Sequence, residues 1–258
     1  MTTNKPKIRI ALNGTNGRMC QAIAHAVKCD ERFQIAFGVD KTPPHINCDF
    51  EVYTSFKDVP PCDIVIDFST PSATRSALEY ALSKHLPILV ATTGHTSKER
   101  QFIMDAGEHI PVFFANNTSL GTYLMLRLVS LASSFLDDSY DIEIVETHHR
   151  IKADVPSGTA LSIASAISSA KEQNGGNAYT PVLGHKDKRE SRQIGIHSVR
   201  GGTVVGKHEV LFLGNDERLT ITHEAENKRV FVHGALKAAD FLIDKPNGVY
   251  GMNDLLTD

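Results

Sequence analysis

The chain has 258 residues, enough for one large domain or two small ones. Its 41% of hydrophobic residues can fill sizeable cores in helices and sheets, which excludes a disordered chain. A formal net charge of -3 exerts no general pull on nucleic acid or an anionic membrane, so neither is expected as a partner and any basic site must be local.

In chain order, KIRIAL (Lys7 to Leu12) reads as a buried strand running into the glycine turn NGTNG. RMCQAIAHAVKCD follows with apolar residues at helical spacing, and FQIAFGVD (Phe33 to Asp40) is a second buried strand. This is a β-α-β unit. The alternation continues with CDIVIDFS as a strand, TPSATRSALEYALSKH as a helix opened by Thr-Pro, and PILVATTG as a strand. SKERQFIMDAGEHI is then a helix and PVFFANN a strand. Short apolar strands alternating with helices predict a parallel sheet covered on both faces. After Asn117 the pattern changes. LGTYLMLRLVSLASSFL is a long amphipathic helix, DIEIVETHH a strand, SGTALSIASAISSAKEQ a helix and EQNGGNAYT a polar loop. IGIHSVRGGTVVGKHEVLFLG and RLTITHEA are strands joined by glycine turns, and HGALKAADFLID is a final helix. The expected fold is therefore α/β: a Rossmann-type parallel-sheet half, then an α+β half with a mixed or antiparallel sheet and helices on one side.

Cys20, Cys29, Cys48 and Cys62 all lie early in the chain and form no C-x-x-C pair, which argues against a zinc knuckle or a disulfide framework. No basic-then-apolar leader precedes Lys7, and no uninterrupted apolar run is long enough to span a bilayer, so a cytoplasmic protein is the expectation.

The turn Gly14-Thr15-Asn16-Gly17-Arg18-Met19 joins the first strand to the first helix. Glycines permit the tight bend and close approach of backbone N–H groups to a pyrophosphate, to which the helix start adds partial positive charge. The spacing is G-x-x-G, and a plain glycine connection is the alternative. Asp40 ends the second strand, where a carboxylate can accept from an adenosine ribose; the neighbouring Lys41, or Arg18, could instead attract a 2′-phosphate. The acid beside a base suggests that both NADH and NADPH are tolerated. Ala91-Thr92-Thr93 and Ala115-Asn116-Asn117-Thr118 leave two further strand ends, where ligands of open parallel sheets sit and a nicotinamide could be faced.

ETHHRIKADVPSGTA (Glu146 to Ala160) crowds proton carriers and donors together. His148 and His149 are neighbours in an extended segment, so they point to opposite sides and chelate one metal poorly; no metal site is expected. A histidine, with a pKa of roughly 6.5, suits proton exchange near neutrality. Lys152 lies four residues on, where a merely solvated lysine is the alternative. Pro156 fits the first turn of a helix, and Ser157, Gly158 and Thr159 would then offer free N–H groups to an anion. Two proton carriers, a cation and an anion cradle suit a small acidic substrate; a capped helix with surface histidines is the competing reading.

Together, the glycine turn with Arg18-Met19, Thr92-Thr93-Gly94 and the string from Glu146 to Ala160 resemble the 4-hydroxy-tetrahydrodipicolinate reductases, also called dihydrodipicolinate reductases. The similarity covers nearly the whole chain. It implies an NAD(P)H-dependent homotetrameric enzyme of lysine and diaminopimelate biosynthesis, with residues 1–118 plus 229–258 binding the cofactor and 119–228 binding a small dicarboxylate substrate and building the tetramer. It implies His148 as the proton donor or acceptor and Lys152 as the second proton donor. It further implies that His149, Gly158 and Thr159 contact the substrate with Ser157 nearby, and that Gly14 to Met19, Asp40, Lys41, Ala91 to Thr93 and Ala115 to Thr118 line the cofactor. Four positions depart from the family pattern: Cys20 and Ala91 where glycines are usual, Thr118 where an aromatic is common, and Val155 where alanine is. A nucleotide-sensing protein without turnover would not need both His148 and Lys152. A semialdehyde-type reductase would want a cysteine in the second half, which has none.

Overall fold

The computed structural model describes residues 6–43, 48–184 and 188–257. The chain divides into two compact units, one built from the stretch up to Ser119 and the stretch from Arg229 onward, the other from Leu120–Lys228.

The first unit holds β1 (Ile8–Asn13), α1 (Arg18–Val27), β2 (Phe33–Val39), β3 (Val52–Tyr53), β4 (Ile64–Asp67), α2 (Pro71–Lys84), β5 (Ile88–Val90), α3 (Ser97–Ala106) and β6 (Pro111–Phe114). Its strands pair in parallel in the order β12-β6-β5-β4-β1-β2-β3, where β12 is Gly248–Tyr250, a late strand that returns to the edge. The order reverses between β1 and β4, which opens a crevice at their carboxyl ends. Strands β4 and β5 are buried throughout, as a sheet covered on both faces requires.

Helix starts in this unit follow local chemistry. Pro71 takes the first turn of α2, where its missing N–H costs nothing. Thr96 and Glu99 form a reciprocal capping box at α3. Gly17 precedes α1 with no side-chain cap at all.

The second unit holds α4 (Leu120–Phe135), β7 (Asp141–His148), α5 (Gly158–Gln173), β8 (Thr180–Leu183), β9 (Gln193–Arg200), β10 (Gly206–Leu213) and β11 (Arg218–Ala225). Its sheet runs β11-β10-β7-β9-β8. β10 is antiparallel to both neighbours, while β9 is parallel to β7 and β8, so the sheet is mixed. Alternate residues of β7 and β10 are buried (Ile142, Ile144, Val210 and Phe212) against Met125 and Val129 of α4 and Ile163 and Ile167 of α5. Helix α6 (Arg229–Leu242) and the short α7 (Met252–Thr257) belong to the first unit. At Gly234 of α6 an added Cβ would stand 1.6 Å from the Thr118 carbonyl oxygen, so α6 lies directly on the end of the β6 segment.

The sequence-based expectation of an α/β parallel half and a mixed α+β half describes both sheets. Four short elements escaped it. β3 and β12 are too short to show alternation, α7 has a single turn and a half, and β8 begins at the end of the polar loop EQNGGNAYT.

Candidate active site

In the first unit the glycine turn follows β1. Gly14 sits at φ +87°, and a Cβ there would meet the Phe68 carbonyl oxygen and Ser69 Cα at 2.8 Å, so a side chain is excluded twice over. The turn spends most of its own amides. Gly14 N and Thr15 N donate to the Val39 carbonyl at 2.8 and 3.3 Å, Gly17 N donates to the Gly14 carbonyl at 2.8 Å, and Asn16 N donates to Asp40 Oδ2 at 2.9 Å. Four amides of the turn that the sequence offers to a pyrophosphate thus already have acceptors within the unit. The amides left for an anion are those of the first turn of α1, from Arg18 and Met19, which a helix start leaves without intrahelical acceptors.

Asp40 lies beside the turn as expected. Burial pushes its carboxyl up, but hydrogen bonds from the backbone of Asn16 and Thr42 outweigh it and hold the group below the usual carboxylate range. Gly14, Gly17, Asp40 and Lys41 line a cavity of about 370 Å³ with Phe56 and Phe68, and Arg18 is exposed at the helix start. Cys20 is fully buried, its thiol 3.3 Å from the Asn13 carbonyl, so the helix–strand contact here accommodates sulfur.

Three threonines expected at the cofactor turn their hydroxyls inward. Thr15 donates to the Leu12 carbonyl at 3.1 Å, Thr92 to Asp67 Oδ2 at 2.9 Å, and Thr118 to the Phe231 carbonyl at 2.7 Å. Each hydroxyl hydrogen is thus spent on an acceptor within the unit. Ala91 is buried, Ala115 and Asn117 are half-buried, and Thr93 and Asn116 are exposed. Asn117 Oδ1 accepts from Ser119 N at 2.8 Å.

Asp67, at the end of β4, is fully buried and went unnoticed in the sequence. It accepts from Asn13 Nδ2 at 2.7 Å, Thr74 Oγ1 at 2.6 Å, Thr92 and the Ser69 hydroxyl, so one carboxylate ties the ends of β1, β4 and β5 to α2 at the crevice.

In the second unit β7 delivers His148 to the inner face of the sheet. Its Nδ1 lies 2.5 Å from Glu146 Oε2. His149 follows the strand, half-buried, with its buried Nδ1 meeting no protein partner. Lys152 Nζ donates to both oxygens of Asp154, at 2.8 and 2.7 Å. Helix α5 starts at Gly158 with Ser157 as its cap, the Ser157 hydroxyl accepting from Ala160 N at 3.1 Å. Two expectations change here. Pro156 lies before the cap and not in the first turn. The Ser157 amide is not free either, since it donates to Glu146 Oε1 at 3.2 Å. Ser157 is buried, its Oγ 3.0 Å from His208 Nε2, whereas Gly158 is exposed with nothing within 4 Å of an added Cβ. The open anion-facing amides are thus those of Gly158 and Thr159.

Glu146, Arg200 and His208 complete this cluster and were not singled out in the sequence. Arg200 grips Glu146 with both terminal nitrogens, at 2.8 and 2.7 Å. Burial pushes the Glu146 carboxyl up, but the hydrogen bonds from Arg200 and His148 pull it down to about 2. Burial pushes His148 down against the opposing pull of Glu146, and the net direction is down. Burial, then the nearby His148, pushes His208 down to about 4. The two rings meet edge to face with centroids 5.1 Å apart. Among the described residues, no group of histidine, cysteine and carboxylate side chains is arranged to hold a metal ion.

An all-parallel sheet whose strand order reverses beside a glycine turn, carried in one chain with a mixed-sheet unit rich in proton carriers, defines a class: the two-unit Rossmann-type oxidoreductases. Family models described as dihydrodipicolinate reductase, N-terminus and C-terminus, match residues 8–118 and 121–256. The chain belongs to the dihydrodipicolinate reductase family. A 4-hydroxy-tetrahydrodipicolinate reductase of Caldanaerobacter subterraneus subsp. tengcongensis is 42% identical, covering 96% of this chain and 98% of that protein. One from Clostridium tetani is 40% identical over 96% of this chain and 97% of its own length. The dipicolinate-bound dihydrodipicolinate reductase of Paenisporosarcina sp. TG-14 has the same fold, with a TM-score of 0.79 at 24% identity over 96% of this chain and 99% of that one.

Proposed function

We infer that this chain reduces 4-hydroxy-tetrahydrodipicolinate to tetrahydrodipicolinate with NADH or NADPH and loss of water, in diaminopimelate and lysine biosynthesis. The observation that carries this is the 42% identity to a reductase of that name, which runs through both units over 96% of the chain.

The first unit fits a dinucleotide. Gly14 has no room for a side chain, the start of α1 is left uncapped, and a cavity begins at Asp40 and Lys41. In our assignment the Arg18 and Met19 amides hold the pyrophosphate, with Gly14 to Gly17 shaping the approach. Asp40 accepts from the ribose, and Lys41 or Arg18 meets a 2′-phosphate. Ala91 to Thr93 and Ala115 to Thr118 flank the nicotinamide end. When bound, the cofactor supplies a hydride.

The second unit takes the dicarboxylate. The Gly158 and Thr159 amides at the start of α5 hold a carboxylate with His149, while Ser157 fixes the helix cap. Reduction of a conjugated C=N system builds negative charge that must be protonated. His148 at Nε2 and Lys152 at Nζ are the donors. Lys152 now rests on Asp154, so a substrate carboxylate competes with Asp154 for it.

The outer face of this sheet, opposite the helices, builds a homotetramer in our reading. Val145, Leu211 and Leu213 on that face, set among Glu143, Thr147 and Glu209, support a partly apolar contact. No helix of the described residues is long and apolar enough to cross a membrane, and the enzyme is assigned to the cytoplasm. The test is oxidation of NADH and NADPH in the presence of the condensation product of pyruvate and aspartate semialdehyde. Turnover above background is expected with at least one cofactor, and none with either rejects the reading.

A further inference from the structure

We propose that Glu146 and Arg200 form a positioning pair that sets both proton carriers, Glu146 fixing the His148 ring and Arg200 anchoring the loop that carries Lys152. This rests on the reading of His148 and Lys152 given above.

Glu146 is 0% exposed, so it cannot meet substrate. Its two oxygens are filled from inside the unit: Oε1 by Arg200 and Ser157 N, Oε2 by Arg200 and His148 Nδ1. A carboxylate offers about four acceptor positions, so nothing is left for a ligand. Stability alone does not explain such a pair, because apolar residues of similar volume often serve a core as well or better. What the charge does here is local. An acceptor at Nδ1 requires the hydrogen to sit on Nδ1, which leaves Nε2 as the atom that gains and loses a proton. The space beside Nε2 is kept open by Gly206 at the start of β10, where an added Cβ would stand 3.1 Å away.

Arg200 extends the same grip into the loop. Besides Glu146, its Nη2 donates to the Asp154 carbonyl at 2.7 Å, and the Asp154 carboxylate holds Lys152 Nζ. Gly201 N, the next residue, donates to the His148 carbonyl at 3.0 Å, so the end of β9 pins both the strand end and the loop.

Glu146, Arg200, His208 and Lys152 act on His148, and His223 and Asp154 stand behind His208 and Lys152. Glu146 lies on its own strand, Arg200 on β9 and His208 on β10. His223 stands opposite His208 on β11, and Lys152 and Asp154 lie in the loop. Burial, Lys152 and Arg200 all disfavour the imidazolium, and Glu146 opposes them. Removing the Glu146 charge therefore moves the His148 titration to lower pH.

The test is Glu146→Gln in the full chain. Expected are a fall in kcat of about 10²-fold, a KM within about two-fold, and an acid-ward shift of the pH-rate limb of His148. Nitrogen NMR of the His148 ring should also show a smaller share of the tautomer with its hydrogen on Nδ1, because the amide offers one acceptor oxygen where the carboxylate offered two. Glu146→Asp should restore part of the loss. An unchanged ring titration and tautomer overturn the proposal, and so does a changed tautomer with unchanged kcat. Arg200→Lys keeps the charge but loses the two-pronged grip. It should lower kcat about ten-fold, and it carries the test if Glu146→Gln does not fold; an unchanged kcat there overturns the pair. His148→Gln separates the two ideas. A near-normal kcat in that variant rejects the proton-carrier reading, whereas the ring NMR of Glu146→Gln still reports whether Glu146 sets the histidine.

Discussion

The two proton carriers differ in how they are held. His148 is enclosed, its Nδ1 against a buried carboxylate, while Lys152 lies in a loop against the exposed Asp154. Replacing His148 by Gln or Lys152 by Ala should each lower kcat by roughly 10²- to 10⁴-fold and leave the fold intact by circular dichroism. Near-normal kcat in both variants would remove them from the mechanism. Asp40 invites a different measurement. Its carboxylate already accepts from Asn16 N and Thr42, so its geometry is set before a ribose arrives. Asp40→Ala should raise the KM for NADH more than that for NADPH, because a 2′-phosphate gains nothing from a carboxylate; equal losses would end the ribose assignment. Much of this residue-level picture was legible as a local string, since Ser157, Gly158, His148 and Lys152 stand close together in the chain. Their partners were not. Glu146 reads as one more alternate residue of a strand, and Arg200 and His208 lie on strands 50 or more residues away. Only the pairing of β7 with β9 and β10 places them beside His148.

Helix starts decide which amides can face a ligand, and three of them differ. α3 closes its own start with Thr96 and Glu99, α5 closes one donor with Ser157, and α1 has no side-chain cap. The glycine turn announced the bare start of α1. The sequence could not show that the turn's own amides are consumed by Val39 and Asp40, because that depends on how β2 ends beside β1. Strand β10 has a consequence of its own for stability. His208 points inward there, and burial drops its pKa from the usual 6.5 to about 4. Between these values the unfolded chain binds a proton that the folded chain refuses. Stability is therefore full above about pH 6.5 and falls as the pH drops toward 4, by up to roughly 3 kcal/mol from this residue. His148 and His223 are shifted in the same direction and add to the slope. Glu146 acts lower down, losing its contribution as the pH falls from about 4.5 toward 2. In urea titrations at pH 7 and pH 4.5, His208→Gln should lose less stability between the two than the parent chain. An equal loss would mean that another group governs the acid limb.

At the scale of the molecule, two sheets built on different rules share one chain. The parallel sheet is covered on both faces, and its near-continuous apolar strands were readable for that reason. The mixed sheet alternates strictly along β7 and β10, so one face belongs to α4 and α5 and the other is left to something else. On that outer face, Leu211 of β10 pairs in register with Glu143 of β7, and Val145 pairs with His197 of β9 and Glu209 of β10. Apolar residues there alternate with carboxylates and a histidine, and Val199 is 47% exposed. A face of this composition suits a second copy of the same sheet, since an isologous contact sets each patch against its own complement. Sedimentation equilibrium should give a mass near four chains. Leu211→Arg should reduce that mass to a dimer or monomer while each chain keeps its far-ultraviolet spectrum, because the side chain lies outside the core that α4 and α5 cover. A parent chain that sediments as a monomer, or an arginine variant whose mass is unchanged, would take this face out of the assembly.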